Sequence, residues 1–141
     1  MTTTDLRAVR DTHMQIQSLT ERIARLRSAL ESCTPKPLSR MPKSRAASQD
    51  KLGDDVIRLL ELEERRRQQI IDLELRLEDV ESWIDSLSPQ QARVMRLRYV
   101  DGLSWRQVAR RCHYSCDWVR HMHSDLLNEL NKDNTKQHIP M

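Results

Sequence analysis

The stretch that decides the fold reads SPQQARVMRLRYVDGLSWRQVARRCHYSCDWVRHMHSDLLNEL and covers residues 88–130. Five of its residues are typical of helix caps and tight turns, namely Ser88, Pro89, Gly102, Ser104 and Ser115. They divide the stretch into three predicted helices, which cover 89–100, 105–112 and 116–130. Two short helices joined by the three-residue turn 113–115 indicate a helix-turn-helix.

The apolar residues of the last two helices predict how these helices cross. Val108, Ala109 and Cys112 share one face of the second helix, and Val119 begins the apolar face of the third. The small side chain of Ala109 lets the two backbones approach, and Val119 is the expected anchor opposite it. His113 lies in the turn, where a residue that tolerates positive φ is needed.

Residues 87–109 resemble region 4 of sigma-70-type factors, and the match continues without a gap from Tyr114 to Leu130. The pairs Arg-Tyr, Asp-Gly, Ser-Trp and Tyr-Ser, with His123 four residues after Val119, are most similar to the phage-encoded ArpU/RinA-type late-gene regulators. The resemblance implies a sequence-specific DNA-binding transcriptional regulator in the cytoplasm of a bacterial host cell. It also implies host RNA polymerase as a partner and a long helical hairpin before the DNA-reading domain.

The predicted DNA interface consists of two groups of residues. The front of the third helix is expected to read base edges in the major groove through Cys116, Asp117 and His121. Contacts to phosphates or to the flank of the groove are expected from Ser115, Trp118, Arg120, Arg106, Arg110 and Arg111. Sigma factors often carry basic or small polar residues where this chain has Cys116 and Asp117, so the family's target sequence cannot be carried over.

Charge is distributed unevenly along the chain of 141 residues. Residues 88–141 carry nine Lys or Arg and five Asp or Glu, a net charge of +4. Residues 50–87 have a net charge of −6, and residues 1–49 have a net charge of +5. A basic C-terminal third beside an acidic middle indicates a surface that faces a polyanion such as double-stranded DNA.

The first 87 residues predict an antiparallel helical hairpin, or coiled coil. The first helix is expected over 4–32, capped by Thr4, and the second over 49–87. Prolines and basic residues over 33–49 predict a flexible linker, and a DNA-contacting arm is the alternative. The a/d seam residues are, in the first helix, Val9, Thr12, Ile16, Leu19, Ile23, Leu26, Leu30 and Cys33, and, in the second, Leu52, Val56, Leu59, Glu63, Arg66, Ile70, Leu73, Leu77, Val80, Ile84 and Leu87.

The predicted fold is therefore all-α: a hairpin over 1–87, a helix-turn-helix domain over 88–132 and a disordered tail over 133–141. Charged helices this long need tertiary or intersubunit packing. We expect the hairpin to form a homodimer, and its two helices could pair within one chain or between two.

Composition excludes several classes of function. The chain has only two glycines, so no Gly-rich phosphate loop is present, and its short apolar runs predict no membrane span. Three cysteines argue against a disulfide framework and for a reducing compartment. Cys112, Cys116, His121 and His123 have a zinc-like spacing, but their helical phases separate them. We therefore expect no metal or other cofactor, a buried Cys112, surface histidines and no enzymatic activity.

Two other functions stay open on the sequence alone. A small-terminase-like DNA-packaging subunit would combine a helix-turn-helix with coiled helices that build a ring. A coiled-coil adaptor would use the same motif to bind protein without DNA.

Overall fold

A computed structural model describes residues 1–32 and 42–137, with side chains for all of these except 42–50 and 135–137. Every regular element in this part of the chain is helical, which confirms the predicted all-α class. The elements are α1 (Thr3–Ser32), α2 (Pro42–Asp85), α3 (Pro89–Met95) with a π-helical turn (Arg96–Val100), α4 (Trp105–Cys112) and α5 (Cys116–Gln137). None of the described helices has the length and apolar character that crossing a membrane requires.

The ends of the long helices differ from the predicted ones. Thr2, not Thr4, caps α1: the Thr2 hydroxyl accepts from the Asp5 amide (3.2 Å), and an Asp5 carboxylate oxygen accepts from the Thr2 amide (2.9 Å). Helix α2 begins at Pro42, within the predicted linker 33–49, because proline is tolerated in the first helical turn. Residues 33–41 of that linker, and Cys33 of the seam, lie outside the described residues.

The C-terminal helix is also longer than predicted. Helix α5 continues to Gln137, so 133–137 are helical where the sequence predicts a disordered tail. The remaining residues of that tail, 138–141, lie outside the described part of the chain.

The chain divides into two compact units, and the division falls within α1 and α2 instead of at residue 88. One unit is Met14–Ile71. The other combines Met1–His13 with the chain from Asp72 onward.

In the Met14–Ile71 unit, α1 and α2 pack antiparallel within one chain. Leu19 and Ile23 of α1 form a buried cluster with Leu62 of α2. Leu26 and Leu59 pack partly buried against this cluster. An ion pair joins the two helices on the exposed side, between Arg27 and Glu63.

The predicted seam of α2 is wrong at two positions in this unit. Val56 and Ile70 are exposed, and Leu62, which the seam omits, is buried. At about 100° per residue, Val56 lies about 120° and Ile70 about 80° around the helix from Leu62. Helix α2 carries apolar residues on two faces, so an a/d pattern fits it in more than one phase.

The other unit has its own core, to which α1, α2 and all the later helices contribute. Its buried apolar residues are Leu6, Val9, Leu73, Leu77, Val80, Ile84, Ala92, Val94, Met95, Tyr99, Val108, Ala109, Cys112, Val119, Leu126 and Leu130. Two hydrogen bonds hold the start of the chain against α5, from Thr3 to Asn131 (3.3 Å) and from Asn134 to the Met1 carbonyl (3.0 Å). This docking of the first residues is absent from the sequence prediction.

Replacing Val119 by Asp should unfold the C-terminal part of this unit. Val119 is fully buried, and an unpaired carboxylate there should lower the free energy of unfolding by at least about 3 kcal/mol. Thermal unfolding followed by circular dichroism measures the loss, with Ser124→Asp on the exposed side of α5 as the matched control. Equal stability of the two variants would show that Val119 does not anchor α5.

Candidate nucleic-acid interface

The turn between α4 and α5 is built by the predicted cap residues. The Ser104 hydroxyl accepts from the Gln107 amide (3.3 Å), and the Gln107 side chain accepts from the Ser104 amide (3.0 Å), so a capping box begins α4. His113 ends α4 in the left-handed region at φ 60°, as its place in the turn predicts. The Ser115 hydroxyl then accepts from the Trp118 amide (3.1 Å) and caps α5.

Helices α4 and α5 pack closely against each other. Val108 and Val119 are completely buried, and Ala109 is nearly so. These are the residues predicted to lie at the crossing, and their burial fixes which sides of α5 stay exposed.

The predicted base-reading residues lie on two neighbouring faces of α5. Asp117 and His121 are exposed and, four residues apart, share one face. Cys116 is half-buried and shares the adjoining face with Arg120.

An open cavity of about 560 Å³ lies beside this second face, at the start of α4. Its lining residues come from the π-helical turn, the first residues of α4 and the first turns of α5. They are Arg98, Ser104, Trp105, Arg106, Cys116 and Arg120. The cavity therefore brings together three of the predicted site residues, Arg106, Cys116 and Arg120, and adds Arg98, which the sequence analysis did not assign to the site.

Arg98 is the most constrained of the three cavity arginines. Its Nη1 donates to the Leu103 carbonyl (3.0 Å), and its guanidinium carbon lies 4.3 Å from the centre of the Trp105 ring. Its Nε is buried and has no hydrogen-bond partner among the residues that the structure describes. Burial, together with the positive charges of Arg10 and Arg120, lowers the pKa of Arg98 to about 10, so the guanidinium stays charged at neutral pH.

Among the described residues, the cavity arginines have no carboxylate partner. Ion pairs join Arg27 to Glu63, Arg67 to Glu64, Arg76 to Asp72 and Arg96 to Asp85, and none of these includes a cavity arginine. Three positive charges thus line one open space, and no carboxylate of the described residues pairs with them. Such a space favours an anion.

His123 packs against Trp105, one of the residues that line the cavity. Its ring meets Trp105 edge-on with 4.6 Å between ring centres, and its Nε2 is hydrogen-bonded to the Tyr99 hydroxyl. Burial, and to a smaller extent the Arg98 charge, lowers the pKa of His123 to about 4, so the ring is neutral at pH 7. Burial raises the pKa of Tyr99 to about 12. The prediction that the histidines lie at the surface is therefore wrong for His123, whereas His113 and His121 are exposed and Cys112 is buried.

The first turns of α1 hold the loop that leads into α4. Arg10 donates to the Gly102 carbonyl (2.8 Å), and Nε2 of His13 donates to the Tyr99 carbonyl (2.6 Å). Gly102 has φ +72°, and a Cβ there would lie 2.6 Å from Nδ1 of His13. The predicted left-handed glycine is confirmed. Its lack of a side chain also leaves room for the His13 ring.

The other predicted contact residues lie outside the cavity. Arg110 and Arg111 are exposed in the last turn of α4, and the Arg111 carbonyl accepts from Arg93 (3.1 Å). Trp118 packs on Tyr114, with 4.1 Å between ring centres, and both rings are partly exposed. No group of three or more metal-ligating side chains occurs among the described residues.

A family model described as "Protein of unknown function (DUF722)" matches residues 10–132. No curated protein and no solved structure matches the chain.

Acid should destabilise the protein through His123. Its pKa is about 4 in the folded chain and near 6.5 when unfolded, so only the unfolded chain gains this proton between those values. The stability contribution is therefore present above pH 6.5 and is lost as the pH falls toward 4. The melting temperature should fall less between pH 7.5 and pH 5 for His123→Gln than for the unmodified chain. The exposed-site variant His121→Gln should keep the full dependence; an identical acid response of all three proteins would contradict the assignment.

Proposed function

The chain belongs to the DUF722 family, and we propose that it is a sequence-specific DNA-binding transcriptional regulator of bacteriophage late genes. In this proposal α4 and α5 form a helix-turn-helix whose second helix, α5, enters the major groove. The protein acts by binding and has no catalytic role. It works in the cytoplasm of the bacterial host cell, and host RNA polymerase is the partner that the resemblance to sigma-70 region 4 implies.

The observation that carries this proposal is the cluster of Arg98, Arg106 and Arg120 around one open cavity. Duplex DNA presents a regular line of phosphates, and guanidinium groups bind them with charge-assisted hydrogen bonds. Because α5 lines the same cavity, a phosphate bound there would lie beside the groove that α5 enters. The net charge of +4 over residues 88–141 favours the same partner.

The two faces of α5 suggest a division of roles. Arg120, on the cavity face, is suited to a backbone phosphate and carries no sequence information. Asp117 and His121, on the exposed face, are suited to base edges: a carboxylate can accept from cytosine N4, and an imidazole can donate or accept. Cys116 lies at the cavity wall in this arrangement, nearer to the phosphate position than its predicted role as a base-reading residue requires.

The remaining contacts are assigned to the edges of the interface. Ser115 caps α5, and its exposed neighbour Trp118 forms an aromatic pair with Tyr114. We assign Trp118 to packing against the sugar-phosphate backbone, and Arg110 and Arg111 to phosphates further along the strand.

Removing one cavity arginine should reduce the salt dependence of binding. The logarithm of the binding constant for a random-sequence duplex should fall with the logarithm of salt concentration, and Arg106→Met should make this slope shallower by about one unit. Arg98→Met should do the same. Fluorescence anisotropy measures the slope, and Arg58→Met, an exposed arginine on α2, is the matched control with an unchanged slope.

A binding constant that does not change between low and moderate salt would contradict DNA binding and favour the adaptor function. A ring of eight or more chains in a mass measurement would instead favour the packaging subunit.

Base reading and phosphate binding should depend on different residues of α5. His121→Ala should lower the preference for one base position by about 1–3 kcal/mol and leave binding to random DNA nearly unchanged. Arg120→Ala should weaken binding to all sequences by a similar factor. Selection of bound sequences from a random pool, followed by affinity measurements on selected and random duplexes, tests both variants. The opposite pattern would mean that α5 is rotated in the groove.

A further inference from the structure

Helix α2 carries an exposed set of apolar side chains that neither its packing on α1 nor the proposed DNA interface uses. Among the described residues, nine large apolar side chains are exposed, and six of them lie on α2. These six are between 42% and 64% exposed: Val56, Ile57, Leu60, Ile70, Ile71 and Leu75. Exposed apolar side chains clustered along one helix mark a surface that binds another protein.

Two of these residues belong to a short line of side chains with an internal symmetry. Leu60, Glu64, Arg67 and Ile71 are separated by four, three and four residues, and this set is called the α2 stripe below. Because all four belong to one helix within the Met14–Ile71 unit, their alignment follows from the helical period, which places them within about 60° of the helix circumference. The spacing reads the same in both directions from a midpoint between Arg65 and Arg66.

We propose that two copies of this chain associate antiparallel through the α2 stripe, about a two-fold axis at that midpoint. Leu60 then lies opposite Ile71 of the partner subunit. At the centre Glu64 lies opposite Arg67 of the partner subunit. A two-fold axis repeats each of these contacts, so apolar residues meet apolar residues and opposite charges meet throughout.

The charges at the centre of the stripe favour this occupant and this orientation. Glu64 and Arg67 form an exposed ion pair within the chain, with 3.4 Å between Nη1 and Oε2, and Glu64 also accepts from Gln68 (3.0 Å). Both side chains are exposed, so a second helix can reach them. A parallel pairing in register would put Glu64 opposite Glu64 of the partner subunit and repeat the repulsion at Arg67. An antiparallel copy satisfies both the apolar and the charged positions, and a parallel copy in register does not.

Charge reversal on the full-length chain tests the proposal by sedimentation velocity, without DNA. The unmodified chain should sediment as a dimer of twice the 16.7 kDa chain mass at tens of micromolar. Glu64→Arg and Arg67→Glu should each weaken dimerisation by about tenfold, because each variant creates two like-charge contacts across the axis. The double variant E64R/R67E should restore dimerisation.

The matched control is Arg76→Glu, which also breaks an ion pair within α2, that with Asp72, but lies outside the α2 stripe. It should dimerise like the unmodified chain, and circular dichroism should show equal helicity for all variants. A monomeric unmodified chain, a double variant as weak as the single ones, or equal weakening by Arg76→Glu would each overturn the proposal. These outcomes do not depend on whether the protein binds DNA.

Discussion

The half-buried charge of Arg98 is the constraint on which the candidate site depends. Its guanidinium donates to the Leu103 carbonyl and stacks on Trp105, and no carboxylate in the described part of the chain is paired with it. A charge that is partly withdrawn from water and flanked by Arg10 and Arg120 raises the free energy of the unliganded protein. An anion in the cavity would remove part of this cost, so the arrangement that raises the free energy of the free protein also favours a bound anion.

The π-helical turn at Arg96–Val100 is the backbone feature that directs the Arg98 side chain to the cavity. The Asp101 amide donates to the Arg96 carbonyl (3.0 Å), a five-residue step that inserts one residue relative to an α-helix. This turn places the Tyr99 side chain in the core and the side chain of its neighbour Arg98 at the cavity. The neutral ring of His123 packs against Trp105. Hydrogen bonds from Arg10 and His13 to the Gly102 and Tyr99 carbonyls hold the end of the π-helical turn and the loop that leads into α4. The position of Arg98 thus rests on contacts from α1, α4 and α5.

Much of the local structure could be predicted from single residues. Ser88, Ser104 and Ser115 cap helices as predicted, and Gly102 and His113 adopt the predicted left-handed conformations, because each effect depends only on neighbouring backbone. Val119 was identifiable as buried from the period of α5.

What could not be predicted depends on distant parts of the chain or on deviations from regular helix. Arg98 lies in the middle of a predicted regular helix, and nothing in its neighbours signals a π-helical turn. The pairing of Arg10 with the Gly102 carbonyl joins residues 92 positions apart. The α2 seam failed at Val56 and Ile70 because α2 has a second apolar face, for which we propose a second copy of the chain as partner.

The most direct test of the proposed phosphate site is the Arg98 Nε–Hε signal in a nitrogen–proton correlation spectrum. The buried Nε should give an observable signal at neutral pH. Addition of a random-sequence DNA duplex at low salt should shift this signal, and added salt should return it to its original position. If anisotropy shows bound DNA while the Arg98 signal does not move, the cavity does not hold the phosphate and the account is wrong.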